Sequence, residues 1–164
     1  LYSRERHIID SAQIIDFIDK NHHNCSDIGS GSGLPGVVLA IIMKHRKSNM
    51  KFQLYEKSYH KSSFLKEVSK KFELNIDVIQ KDIFEQKNIA SDLVVARAFK
   101  PLPVVLDLVN SNFKKFKNII FFLGKNGRRV VKETLNVWQF EYEEKKSITS
   151  EDSFIINIKS LKKK

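Results

Sequence analysis

Four glycines crowd into residues 29–36, between a run that reads as a strand and a run that reads as a helix: DIGSGSGLPGVVLAI, residues 27–41. A strand turns into a helix this tightly only where glycine removes the Cβ, and the bare backbone then lets a small ligand come close. Gly31, Gly33 and Gly36 spell G-x-G-x-x-G, and Glu56 follows 20 residues after the last of them. An acid at that distance belongs at the end of the next strand, where it can accept ribose hydroxyls. The chain is thereby held to strand–helix alternation, with a ligand at the carboxyl ends of parallel strands.

The remaining sequence supplies that alternation. Residues 7–19 place Ile8, Ile15 and Ile18 on one helical face with Ile14 beside them. A first strand should end near Asp27 and Ile28. Pro35 then sits at a helix start, where its missing N–H is harmless. Val37–Met43 is apolar nearly all round and predicts a buried helix, whose end carries Lys44, His45, Arg46 and Lys47 to complement the dipole. Residues 52–56 read as a second strand, and 58–72 as a helix with the apolar stripe Phe64, Leu65, Val68 and Phe72. Strands at 76–80 and 92–96 follow, and Pro101 and Pro103 open a helix that runs through Leu108. Residues 118–123 are wholly apolar from Ile119 on, which predicts a central strand. A helix around 129–135 and two strands joined by a polar turn complete the chain. The expectation is one α/β domain with a mostly parallel twisted sheet, an antiparallel C-terminal addition and helices on both faces. Residues 1–20 form a helical segment and 24–164 the core. Leu1 is not an initiator methionine, so a natural segment is expected ahead of it.

Two neighbours of the glycine turn bear on its ligand. Asp27 closes the strand before the turn, and a carboxylate there repels a pyrophosphate. Pro35 removes a helix-terminal N–H that a phosphate would want. Both suit a ligand with a cationic amino-acid end and no phosphate, and S-adenosylmethionine fits. Its ammonium would sit near Asp27, its ribose on Glu56 and its adenine near Ile83 and Phe84. No Lys-Ser or Lys-Thr follows the glycines, which excludes a Walker phosphate loop. A nicotinamide dinucleotide is the alternative, since Gly31, Gly33 and Gly36 also meet its template.

Charge points to the partner. Lys and Arg number 29 against 19 acids, a formal excess of +10. Nucleic acid is the first choice for so basic a chain, ahead of a membrane surface. No apolar run approaches the roughly 18 residues that span a bilayer. The single cysteine, Cys25, excludes an internal disulfide and any C-x-x-C site and suits a reducing cytoplasm. Cys25 is expected in the core. His22 and His23 lie beside it without a fourth ligand at zinc-like spacing, so no metal is expected.

Three blocks, DIGSGSGLPG, YEKSYHKSSFL and VVARAFKPL, together with RHIIDS at residues 6–11, resemble the bacterial small-subunit ribosomal RNA guanine-N7 methyltransferases. That family is also called the glucose-inhibited division protein B family. The likeness runs from about Arg6 to the C-terminal strands. Leu34-Pro35-Gly36 and Ala96-Arg97-Ala98 make it specific, whereas the glycines alone are common to many methyltransferases. The resemblance implies a Rossmann-like class I methyltransferase with its cofactor on Gly29, Leu34, Ile83, Phe84 and Arg97. It also implies a loop of 16S ribosomal RNA, free or in a small-subunit precursor, as substrate. The family's Leu-Lys-Gly after the fifth strand appears here as Gly124-Lys125-Asn126, and the resemblance carries an RNA role onto Lys125.

The implied chemistry asks little of the chain. Guanine N7 already carries a lone pair and no hydrogen, so alignment rather than a general base is what must be supplied. The sequence has no Asn-Pro-Pro-Tyr after the fourth strand and no Pro-Cys pair, the usual marks of attack by an exocyclic amine or on pyrimidine carbon-5. Arg97, at the carboxyl end of a strand beside the crevice, is the first choice for placing the base. Lys57, Lys61, Arg128 and Arg129 are candidate phosphate contacts. N7 lies deep in the narrow major groove of A-form RNA, so the guanine should come from a loop. A non-enzymatic RNA-binding module is the third reading, and nothing demands a partner chain.

Overall fold

Alternating side chains along three adjacent strands organise the protein, which a computed structural model describes over residues 3–164. In β5 (Leu93–Ala96), β7 (Asn118–Leu123) and β9 (Phe154–Lys163), successive residues face opposite sides of one sheet. Leu93, Val95, Ile120 and Ile155 pack on one side with Ile14, Leu39, Ala40 and Leu65. Val94, Ala96, Ile119, Phe121 and Ile156 pack on the other with Leu102, Val105, Leu106 and Val131. The first group of partners belongs to the N-terminal segment, α2 (Gly36–His45) and α3 (Tyr59–Lys71). The second belongs to α4 (Leu102–Asn112) and α5 (Gly127–Thr134). Helices therefore cover both faces.

β1 (Asn24–Ile28), β2 (Lys51–Tyr55) and β3 (Ile76–Ile79) complete the parallel part of the sheet. The strand order is β3-β2-β1-β5-β7-β9-β8, with β9 antiparallel to β7 and β8 (Trp138–Lys146) antiparallel to β9. A small parallel pair, β4 (Ile89–Ala90) with β6 (Phe113–Lys115), stands apart; neither strand is long enough to show a period in sequence. α1 (Ser3–Ala12) and a 3-10 turn at Gln13–Phe17 form the N-terminal segment. The order reverses at β1, whose neighbours are β2 and β5, and such a switch point opens a crevice at the strands' carboxyl ends. Both the glycine turn and Arg97 leave the sheet there.

The apolar stripe expected on α3 is rotated. Leu65 and Ser62 are fully buried, while Phe64 and Phe72 are about half exposed. One residue along a helix is about 100° around its axis, and the Ser62 hydroxyl, donating to Glu56 O at 2.8 Å, turns its own side inward. Among the described residues no helix is long and apolar enough to cross a membrane.

Candidate cofactor and substrate site

The turn after β1 is anchored to β2: Gly29 N and Ser30 N both donate to Tyr55 O, at 3.0 and 3.1 Å. Gly29 has φ +72°, and a Cβ there would lie 2.0 Å from the Phe99 ring. Glycine is thus required twice over, by conformation and by contact. Gly31 donates its N–H to Glu56 Oε2 at 2.9 Å, which ties the turn to the end of β2.

Asp27 does not face the crevice. Its Oδ2 accepts the N–H of Gly36 at 2.9 Å in a fully buried contact under the turn. A Cβ on Gly36 would stand 2.5 Å from that oxygen, so only glycine lets α2 start here. The carboxylate thus holds the first N–H of α2, Pro35 has none, and Val37 N is bound to Gly33 O at 2.7 Å. Burial pushes the Asp27 carboxyl up to about 7, against the pull of the Gly36 N–H and with the Glu56 charge adding to the rise. Gly33 also lies off the crevice, closed in by Val37 and Leu65.

Above the turn lies a cavity of about 650 Å³. Gly29, Gly31, Leu34, Glu56, Ile83, Phe84 and Arg97 all line it, as the sequence suggested, and so do Lys57 and Lys61. Glu56 is almost buried, its two oxygens accepting from Gly31 N and from Ser58 N at 2.8 Å. A carboxylate has about four acceptor positions, which leaves capacity for two hydroxyls. Phe84 and Phe99 stack with centroids 6.0 Å apart and make an aromatic wall. Lys81, Lys100 and His7 line the cavity too. The sequence reading missed them, although each lies within three residues of a named one or inside the RHIIDS block.

A single buried amide holds the Phe84 wall. Asn112, the last residue of α4, donates from Nδ2 to the carbonyls of Ile83, Phe84 and Gln86 at 3.0, 3.0 and 2.7 Å. Lys87 Nζ donates to its Oδ1 at 2.8 Å.

Arg97 follows β5, its side chain only 16% exposed. One guanidinium nitrogen is 2.7 Å from His7 Nδ1 and 3.5 Å from Asp10 Oδ2, and the group lies 5.7 Å from the Phe122 ring centroid. Guanidinium only donates, so His7 Nδ1 accepts and its proton sits on Nε2. Burial pulls the Arg97 pKa down, opposed by Asp10.

The other cations are elsewhere. Arg128 makes two bonds to Glu144, at 2.6 and 3.1 Å, and lies over Phe154. Arg129 pairs with Glu133 at 3.8 Å, while Lys125 is exposed; none of the three lines the cavity. His22 Nε2 bonds Asn118 Oδ1 at 3.0 Å, and its Nδ1 takes the Asp19 N–H at 3.2 Å, so both ring nitrogens are committed. Cys25 is buried in the core, which pushes its thiol pKa up. Among the described residues no group of three or more His, Cys, Asp or Glu is arranged to hold a metal.

Comparison with known proteins places this geometry. The chain is 57% identical over 161 residues to the ribosomal RNA small subunit methyltransferase G of Pelagibacter ubique, covering 98% of this chain and 76% of that protein. It is 36% identical to the protein of the same name from Dinoroseobacter shibae, covering 94% and 79%. Among solved structures, M. jannaschii TYW2 in complex with AdoMet superposes with a TM-score of 0.66 at 15% identity, covering 100% of this chain and 79% of that one. M. capricolum TrmK in complex with S-adenosyl-homocysteine gives 0.62 at 17% identity, covering 97% and 68%. These likenesses show the Rossmann-like methyltransferase fold. The family model described as GidB, rRNA small subunit methyltransferase G, matches residues 3–156, and the chain belongs to that family.

Proposed function

We propose that the chain transfers a methyl group from S-adenosylmethionine to N7 of a guanine in a loop of small-subunit ribosomal RNA. The observation that carries the choice of cofactor is the Asp27–Gly36 contact. A dinucleotide rests its pyrophosphate on the helix N-terminus, and here a buried carboxylate already fills that place. The free acceptor capacity of Glu56 suits ribose hydroxyls, and the Phe84–Phe99 wall beside Ile83 suits an adenine ring. Bound there, S-adenosylmethionine supplies a methyl carbon that leaves its sulfur for an attacking lone pair. The chain's own part is to hold the base in line, where positioning supplies the rate. The proposal includes a cytoplasmic monomer, and attack by a lone pair that N7 already carries calls for no metal.

Lys57, Lys61, Lys81 and Lys100 around the cavity, with exposed Lys125, form the surface offered to phosphates. Arg128 and Arg129 would have to leave Glu144 and Glu133 to join them. With about four to six phosphates engaged, the logarithm of the RNA association constant should fall with the logarithm of salt at a slope of about −3 to −5. Filter binding across a salt series measures it, and a flat response would remove the phosphate surface.

The deciding assay incubates the protein with labelled S-adenosylmethionine and methylation-deficient small-subunit RNA, then maps the modified base. Label on a guanine N7 is the expected result. Tight binding of NAD with no methyl transfer would install the dehydrogenase reading, and RNA binding without either cofactor would leave a binding module.

Asn112→Ala offers a further check on the adenine wall. Three carbonyls lose their shared donor at a cost of roughly 1–3 kcal/mol. Calorimetry with S-adenosylhomocysteine should show weaker binding at a temperature where the variant is folded; unchanged affinity would detach the loop from the cofactor.

A further inference from the structure

A second cavity, of about 250 Å³, lies against the first and shares only Arg97 and Ala98 with it. We propose that it receives the target guanine, withdrawn from its stack, with Arg97 at the junction where base and cofactor meet. This rests on the function proposed above. The cavity sits where β5 and β7 end, between Phe122 and Phe154, under Asp10 of α1 and the Ser147 and Ser153 hydroxyls of the β8–β9 connection. Ligands in sheets of this kind bind at that end of the strands. Its volume is less than half that of the first, too little for a second nucleoside cofactor.

The backbone is bent where the two cavities adjoin. Ala98 has φ +49°, a conformation that costs a residue bearing a Cβ and that persists where the surroundings enforce it. The kink sends Phe99 back against Gly29 and leaves Arg97 facing His7 and Asp10. The two cavities therefore adjoin at Arg97 and Ala98.

The lining selects a base. RNA-binding sites stack splayed-out bases on aromatic rings or guanidinium planes, and here Phe122, Phe154 and Arg97 line the space. A phosphate is a poor occupant, because the Asp10 carboxylate faces the space. Asp10 Oδ1 is bonded by Thr149, Ser147 and Gln13, whereas Oδ2, among the described residues, meets Arg97 alone, at 3.5 Å. An acceptor of that kind suits the N1–H and N2–H donors of guanine, an edge that leaves N7 on the other side of the ring.

Gly124 provides the test. It lines the second cavity and not the first, and a Cβ added there meets nothing within 4 Å. Gly124→Phe should fill the space and lower methyl transfer to the RNA by about 100-fold or more. Binding of S-adenosylhomocysteine and overall RNA affinity should stay at the wild-type level. A 2-aminopurine placed at the methylated position should change its fluorescence on binding the wild-type protein and not on binding Gly124→Phe. Ser153→Leu blocks the same space from the opposite wall and should reproduce the loss. Wild-type rates in both blocked variants would overturn the subsite while leaving the proposed function standing. A wild-type protein that methylates no RNA would overturn both.

Discussion

Arg97→Ala should lower methyl transfer by about 100- to 1,000-fold, the range seen when one charged or hydrogen-bonding group is taken from a preorganised site, and should leave the protein folded. The side chain stands where the two cavities meet and touches both. It also ties α1 to the sheet through His7 and Asp10. Truncation removes both functions, but Asp10 keeps its bonds to Thr149, Ser147 and Gln13, so α1 stays docked to the β8–β9 connection. Single-turnover rates with saturating RNA and cofactor separate placement from binding. Arg97→Lys sharpens the result: the charge remains, but the planar fork that reaches His7 and Asp10 together is lost, so little activity should return. Wild-type turnover in Arg97→Ala would remove Arg97 from the reaction and leave it as a tether.

Much of this site could be read from the amino-acid order because its parts are local to motifs. The glycine turn, Glu56, Ile83 with Phe84, and Arg97 each lie a few residues or less past the end of a strand, and strand ends are visible as the close of a branched apolar run. Contacts between distant segments were not visible. Arg128 reads as a free cation until β8 brings Glu144 beside it, 16 residues on. Asn112 looks like an ordinary helix end, and only the fold shows three carbonyls converging on it. The second cavity needs α1, β5, β7 and the β8–β9 connection together, so no stretch of sequence announces it. Asp27 is the instructive case. Its position was legible, but its direction depends on α2 returning underneath, and the clue was Gly36, a glycine inside a helix start that needs none for its turn.

That direction has a consequence for stability. Asp27→Asn should make the protein more stable than the wild type at pH 8, and the advantage should vanish as pH falls toward 4. The folded carboxyl titrates at about 7 because burial penalises its charge, while the ordinary aspartate value, 3.8, applies to the unfolded chain. Between those values the folded state binds more protons than the unfolded one, so wild-type stability rises as pH drops through the window. At about 1.4 kcal/mol per unit, the full swing is of order 4 kcal/mol. Asparagine keeps an oxygen for the Gly36 N–H and carries no charge, so its curve lacks this slope. Asp16, Asp92 and Glu143, whose pKa values are lowered by lysine contacts and hydrogen bonds, act in the opposite sense. Their stabilisation is lost only as pH falls below the ordinary carboxylate range, which leaves the interval from about 7 to 4 to Asp27. Urea unfolding of both proteins at half-unit steps resolves the difference, and parallel curves would sink the claim that the buried carboxyl is neutral in much of the folded population. The same variant separates two roles for this residue. Asp27 lies beneath the turn rather than on the cavity wall, so Asp27→Asn should bind S-adenosylhomocysteine as the wild type does; a stable variant that has lost that affinity would put the carboxylate back in contact with the cofactor.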